Sequence, residues 1–320
     1  RRKMKRSRGL ALVAVGVLAV VWYGRRRRRG VVVVKLGGAA ITRKAARHTL
    51  NDEALAQCVD ALVKYWRQQK GTMVVIHGAG SFGHFEAKEF EVGTLRHELG
   101  FAKTRAAVTS LNKRVVDAFI ERDVPAVAVS PFSATDLVGT LDQVARAGLL
   151  PVTHGDVLLG GKYATILSGD EIATTIPTDR VLFVTDVPGV YDRDPKTGAG
   201  IILPVLTPAD DERFFGLGKK ERRRRRKRQT TPKRRLQEEE DDDDATGGKE
   251  EEEEDEGTGR PPEVVDVTGG MTSKLKSAFA IAKRGIPVRI LDPPSLEAAL
   301  FATNRRDFIT HVGGTLILNK

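Results

Sequence analysis

Four short segments of this 320-residue chain combine glycine with charged residues in patterns suited to handling phosphate. The first is Lys35-Leu36-Gly37-Gly38-Ala39-Ala40-Ile41-Thr42-Arg43-Lys44. Its glycines let backbone N–H groups approach phosphate oxygens, and a lysine at each end can neutralise charge moving between a donor and an acceptor. The spacing is not that of the P-loop, whose lysine follows the second glycine of a longer loop. Alone, the segment fits a plain strand and glycine turn with surface lysines equally well.

The second segment is His77-Gly78-Ala79-Gly80-Ser81-Phe82-Gly83-His84. It reads as another glycine-rich anion cradle at a strand end, and His84 can donate to a phosphate oxygen. Two cradles after consecutive strands suit two phosphate-bearing ligands meeting at one sheet edge. The third segment, Thr185-Asp186-Val187-Pro188-Gly189-Val190-Tyr191, ends a strand at an aspartate. Asp186 can orient a lysine, or simply cap the turn. In the fourth, Thr268-Gly269-Gly270-Met271-Thr272-Ser273-Lys274, two glycines precede an expected helix start with Lys274 in its first turn. A cation there opposes the helix dipole, a conflict that a bound anion would relieve.

These segments sit in an alternating α/β pattern. Apolar or β-branched runs at 31–36, 72–76, 126–129, 150–152, 181–185, 288–291 and 314–318 read as strands. Helices are expected at 51–69, 104–121, 141–147, 273–284 and 295–302. Leu55, Val59, Leu62 and Trp66 share one face of the first, and Val108, Leu111, Val115 and Phe119 one face of the second. Asn51 or Asp52 is the expected cap of the first helix. The fold class is therefore α/β, a three-layer αβα sandwich with a mostly parallel central sheet.

Two appendages frame this body. Residues 1–29 carry eleven Lys or Arg and no acid around an apolar run at 10–23. As a helix that run spans about 21 Å, short of the ~30 Å bilayer core. It reads as a membrane anchor, a targeting segment or a mis-set gene start, so the compartment is either the cytoplasm or the cytosolic face of a membrane. Residues 217–262 place a basic block before an acidic one, and such a stretch cannot offset its ordering entropy by burial. They read as a disordered insertion within a catalytic domain spanning 30–320. The net charge of +11 sits mainly in the first 29 residues. It is thus no sign that the body binds nucleic acid, and the basic runs lack the interleaved aromatics that stack on bases. The lone cysteine, Cys58, excludes an internal disulfide and a cysteine metal cage, and reads as a buried apolar residue.

Taken in order, the four segments resemble the amino acid kinase superfamily, and Gly80-Ser81-Phe82-Gly83-His84 resembles its isopentenyl phosphate kinase branch. The resemblance covers roughly residues 31–216 and 263–319. It implies ATP and Mg²⁺ as cofactors, a small isoprenyl monophosphate as acceptor and a homodimer. By the same resemblance, Lys35 and Lys44 would touch the transferring phosphate. Gly37, Gly38, Ala39, Gly80 and Lys274 would hold ATP, with Tyr191 and Gly270 bordering the nucleotide. Ala79, Gly83, His84 and Gly155 would contact the acceptor phosphate, Ala79 and Gly155 through backbone. Asp186 would organise the lysines, and Asp170 would lie near the site. Phe101, Val108 and Leu111 are expected walls of a slot for the apolar tail, although core packing explains them equally well. Ala39 stands where many relatives have serine, which removes a hydroxyl but keeps the backbone donor. Two alternatives remain at this stage. One is a kinase of the same fold acting on a phosphonate or carboxylate; the other is a membrane-tethered interaction protein with an inactive kinase body.

Overall fold

The computed structural model describes residues 30–93, 96–160, 163–193, 200–211, 214–215, 269–302, 305–310 and 313–319. The apolar run at 10–23 and the whole of the charged stretch at 217–262 lie outside them. Among the described residues, no helix is long and apolar enough to cross a membrane.

The centre is an eight-stranded sheet in the order β3-β4-β2-β1-β7-β9-β10-β8. Its strands are β1 (Val32–Leu36), β2 (Met73–His77), β3 (Ala126–Ala128), β4 (Leu150–His154), β7 (Arg180–Val184), β8 (Val205–Leu206), β9 (Val288–Leu291) and β10 (Thr315–Ile317). Every pairing is parallel except that of β9 with β10. The helices are α1 (Gly38–Ile41), α2 (Asp52–Gln68), α3 (Gly80–Glu89), α4 (Glu98–Ile120), α5 (Leu137–Arg146), α6 (Gly169–Thr175), α7 (Gly269–Ala282), α8 (Leu296–Phe301) and α9 (Arg305–Thr310).

Strand alternation sorts the side chains into two apolar layers. Val32, Val34 and Leu36 of β1 join one core with Leu55, Val59, Leu62 and Trp66 of α2 and Leu111, Val115 and Phe119 of α4. Val33 faces the other core, with Ile172 of α6 and Leu275, Ala278 and Phe279 of α7. The expected three-layer αβα sandwich is thus present, and the helical faces read from the sequence are the buried ones. Cys58 is also buried in the first core, and burial pushes its thiol up to about 12.

Local signals set several boundaries. Asn51 caps α2 by accepting from the Ala54 N–H, and Ser168 with Glu171 forms a reciprocal capping box on α6. Helix α4 begins at Glu98, six residues earlier than expected, because the His97 ring accepts from the Gly100 N–H and supplies a cap that does not belong to the usual Ser, Thr, Asp or Asn set. The sequence reading also lacked a hairpin of β5 (Asp156–Gly160) and β6 (Tyr163–Leu167), which forms a separate two-stranded sheet. In the hairpin Val157 is buried but Leu159 is 76% and Ile166 49% exposed, so its apolar residues do not report burial uniformly.

Candidate active site

The sheet order explains why four separated segments meet. Strands β4, β2, β1 and β7 are consecutive neighbours and run parallel, so their carboxyl ends open on one edge. Gly37 follows β1, Gly78 follows β2, Gly155 follows β4, and Thr185 and Asp186 follow β7. A cleft of about 690 Å³ lies at this edge. Every residue expected to contact phosphate or nucleotide lines it: Lys35, Gly37, Gly38, Ala39, Lys44, Ala79, Gly80, Gly83, His84, Gly155, Asp186, Tyr191, Gly270 and Lys274.

The first two glycine segments touch backbone to backbone. A Cβ on Gly38 would meet the Gly80 nitrogen at 2.2 Å, and Gly80 itself has φ +52°. Both positions therefore require glycine. Thr42 ties the segments together, donating to the Gly38 carbonyl at 2.7 Å and accepting from the Ser81 N–H at 2.9 Å. Neither segment is the open loop expected. One turn of helix, α1, starts at Gly38, and α3 starts at Gly80, so Gly83 and His84 lie on a helix.

Three corrections concern backbone and charge. The Gly155 N–H donates to the His77 carbonyl at 3.0 Å as part of the sheet, so its nitrogen is not available to an acceptor phosphate. Its contribution is its missing side chain: a Cβ there would meet the Gly169 nitrogen at 3.0 Å. Lys274 is the sixth residue of α7, in its second turn rather than its first, so the dipole argument does not apply to it. Asp186 meets Lys44, at 2.6 Å, but Lys35 and Lys274 are organised by Asp170, at 2.6 and 4.0 Å.

Asp170 thus has a larger part than sequence reasoning gave it. The signal was present in Ser168-Gly169-Asp170-Glu171, a capping-box helix start, but nothing local says that its carboxylate reaches back to β1. Lys35, Asp170 and Lys274 are each at most 6% exposed. Burial favours the neutral carboxyl of Asp170, but the Lys35 and Lys274 charges outweigh it and hold the group below the ordinary aspartate value. For Lys274, burial and then Lys35 push the amine down to about 8, against the partial support of Asp170 and Asp186. Two cations on one carboxylate leave an excess of positive charge in a nearly dry place, a strong attractor for a polyphosphate.

Lys44 differs, its side chain being 69% exposed. The loop that carries it is fastened at its far side by buried Glu86, which meets His48 at 2.9 Å and Arg47 at 3.5 Å. His84 stands exposed on the cleft wall, and partial burial followed by the Lys35 and Lys44 charges holds its imidazole below the ordinary histidine value. The lining also includes apolar Phe85, Val108, Val157 and Ile166. Of the expected tail walls, Val108 does line the cleft. Leu111 is fully buried in the core, and Phe101 packs instead on Phe132, with ring centroids 5.9 Å apart.

Further donors lie at the cleft. Gly38, Ala39 and Ala79 line it, and among the described residues their N–H groups have no backbone partner. With the lysines, they form a surface built to receive two anions side by side.

A parallel-sheet αβα sandwich with this cleft at its carboxyl edge defines a phosphotransferase of a known class. The chain belongs to the amino acid kinase family, whose sequence model matches residues 30–221. Among its relatives is an isopentenyl phosphate kinase of Arabidopsis thaliana, 34% identical over 218 residues, covering 51% of this chain and 66% of that protein. The isopentenyl phosphate kinase of Methanothermobacter thermautotrophicus is 27% identical over 305 residues, covering 86% of this chain and 97% of its own. A solved isopentenyl phosphate kinase structure superposes with TM-score 0.61 at 23% identity, over 90% of this chain and 100% of that one, which supports the fold.

Proposed function

We propose that this protein transfers the γ-phosphate of ATP to isopentenyl phosphate, forming isopentenyl diphosphate and ADP. One observation carries the reading. The cleft that gathers Lys35, Lys44 and Lys274 is lined as well by His84 and by apolar Phe85, Val108, Val157 and Ile166. A charged head with a short hydrocarbon tail fits that mixed lining, and the named relatives support it.

An oxygen of the acceptor phosphate attacks the γ-phosphorus in line, and the bond from that phosphorus to the β-bridging oxygen breaks. A phosphate monoester is largely ionised near neutral pH, so the step requires no strong general base. Catalysis is then alignment and charge neutralisation. Lys35 and Lys44 face the transferring group. Gly37, Gly38, Ala39, Gly80 and Lys274 surround the ATP phosphates, and Tyr191 and Gly270 border the nucleotide. Ala79 and His84 hold the acceptor phosphate, beside Gly83. His84 enters this role largely neutral, and a bound dianion favours its protonated form, so acceptor binding takes up a proton.

Asp170 and Asp186 both face lysines, and among the described residues no three His, Cys, Asp or Glu side chains form a metal cage. The protein residues therefore do not fit a resident Mg²⁺, and the ion expected from the resemblance belongs with the nucleotide phosphates. A homodimer, and membrane association through residues 10–23, complete the proposal. Sedimentation and liposome flotation of the full chain test them.

The deciding experiment offers ATP with isopentenyl phosphate, dimethylallyl phosphate, fosfomycin or acetylglutamate to the full chain. Turnover is expected with the isoprenyl phosphates, and a preference for fosfomycin or acetylglutamate refutes the assignment. His84→Ala should lower turnover on isopentenyl phosphate by ~100-fold.

A further inference from the structure

Beneath the cleft lie two histidines that the chemistry above does not use. His77 and His154 end the adjacent strands β2 and β4 and are register partners. They are 0% and 1% exposed, and their rings stack with centroids 5.5 Å apart and planes 23° apart. Each Nδ1 lies 3.0 Å from the carbonyl oxygen of the following glycine, Gly78 for His77 and Gly155 for His154. A carbonyl oxygen only accepts, so each Nδ1 carries the proton. Burial and then His154 push His77 down to about 3, and burial pushes His154 down to about 4, so both rings are neutral at ordinary pH. The Nε2 of His77 is then a bare acceptor, and the atom placed 3.1 Å from it is Oδ1 of buried Asn112. Two acceptors cannot bond, and a half-turn of the side-chain amide exchanges its oxygen and nitrogen, so a proton on Nδ1 requires the flipped amide, with the Asn112 NH₂ toward the ring.

The consequence falls on one peptide group. In a trans peptide the N–H points opposite to the C=O. The Gly78 carbonyl is drawn to the His77 ring, which turns the Ala79 N–H the other way. Ala79 lines the cleft, and among the described residues its N–H has no hydrogen-bond partner. A mobile glycine peptide would present that donor in several directions; a pinned one presents it in a single direction.

We propose that His77 is a positioning residue for the acceptor phosphate: its Nδ1–H holds the Gly78 carbonyl so that the Ala79 N–H is aimed at that phosphate, and Asn112 holds the ring in the tautomer that can do so. The inference rests on the phosphate-acceptor reading of the cleft. His154 packs against the ring plane and pins the neighbouring Gly155 peptide in the same manner.

The test uses full-length protein and three variants. His77→Leu keeps bulk but has no donor, His77→Asn keeps an N–H near the place of Nδ1, and Asn112→Leu removes the group that selects the tautomer. Losing one aimed donor to a charged phosphate should raise the KM for isopentenyl phosphate by ~10-fold or more in His77→Leu while leaving the KM for ATP unchanged. His77→Asn should restore most of the loss, and Asn112→Leu should fall between the two. Nitrogen-15 spectra of the wild-type protein should show His77 as the Nδ1–H tautomer. An Nε2–H tautomer overturns the proposal, as does a His77→Leu enzyme that loses only thermal stability with both KM values unmoved. If His77→Leu does not fold, the wild-type tautomer and the Asn112→Leu KM values decide. A wild-type enzyme inactive on isopentenyl phosphate removes the functional reading and this inference together. Wild-type turnover with an unmoved acceptor KM removes the inference alone.

Discussion

The cleft holds two lysine–aspartate arrangements built on opposite principles. Lys35, Asp170 and Lys274 lie out of water on three elements of the sandwich, β1, α6 and α7. Lys44 and Asp186 meet at 2.6 Å on two connecting segments, with side chains 69% and 36% exposed. A buried ion cluster is expensive to desolvate and cannot readily change partners, so its field is fixed before a ligand arrives. A surface pair is screened and contributes little to stability, but either member can leave to meet a phosphate. The difference separates a permanent electrostatic floor from an adjustable arm within one site.

Removing the counter-charge of the floor should have the largest effect. Asp170→Asn leaves two ammonium groups buried without a carboxylate, and breaking such a cluster typically costs ~3–5 kcal/mol. Urea unfolding should show a matching fall in midpoint, together with loss of turnover. The pH dependence has a defined sign. The folded carboxyl titrates below the ordinary aspartate value, so its stabilisation is present at neutral pH and is lost as pH falls through the folded value. The wild type should lose this part of its stability in acid, and Asp170→Asn should not. A variant as stable as wild type across that range would mean that the floor is not a fixed device.

Next in size is the second buried cation. Lys274→Met should reduce kcat/KM for ATP by ~100-fold, the usual scale for removing a preorganised charge from a transferring group. Its pH signature is specific. The free-enzyme amine titrates at about 8 rather than at the ordinary 10.5, so kcat/KM for ATP should decline as pH rises through about 8, and Lys274→Met should lack that limb. Stability runs the other way. Between about 8 and 10.5 the unfolded chain holds more protons than the native state, so this group makes stability rise with pH across that window. Opposite slopes for activity and stability identify a depressed lysine; parallel slopes would reject it.

The two arrangements also differ in how visible they were in the sequence. Lys35, Lys44 and the glycines of the first two segments could be read because they lie in or shortly after a strand, and Gly270 and Lys274 because a glycine pair marks a helix start; both are local features. The parallel sheet and both helical faces followed from periodicity for the same reason. Asp186 was read as the residue that organises the lysines and does meet Lys44, but the partner shared by the two buried lysines could not be read. Asp170 lies 135 positions after Lys35 in the chain, and only the adjacency of β1 and β2 to α6 places it there. The status of the Gly155 nitrogen depends on whether β4 pairs with β2 at that residue, which no local pattern states. The hairpin of β5 and β6 was missed because its apolar residues are divided between the interior, at Val157 and Leu167, and the surface, at Leu159 and Ile166, which leaves no single pattern. His97 as a helix cap, and Glu86 as the anchor of the Lys44 loop, are tertiary arrangements of residues whose types suggest neither role.

The smallest expected effect tests the adjustable arm. Lys44→Ala removes one partner of an exposed pair, so unfolding free energy should move by less than about 1 kcal/mol. Activity should fall further than stability, by ~10-fold in kcat, because the cation matters most when charge develops between donor and acceptor. Added salt provides the sharper comparison. A solvent-facing ammonium is screened within a Debye length of about 8 Å at physiological ionic strength, whereas the buried lysines are shielded from it. The wild-type rate should therefore carry a salt-sensitive component that Lys44→Ala lacks, while the salt dependence of Lys274→Met stays like that of the wild type. If Lys44→Ala instead destabilises the fold as strongly as Asp170→Asn, the exposed pair is structural and the contrast between the two arrangements fails.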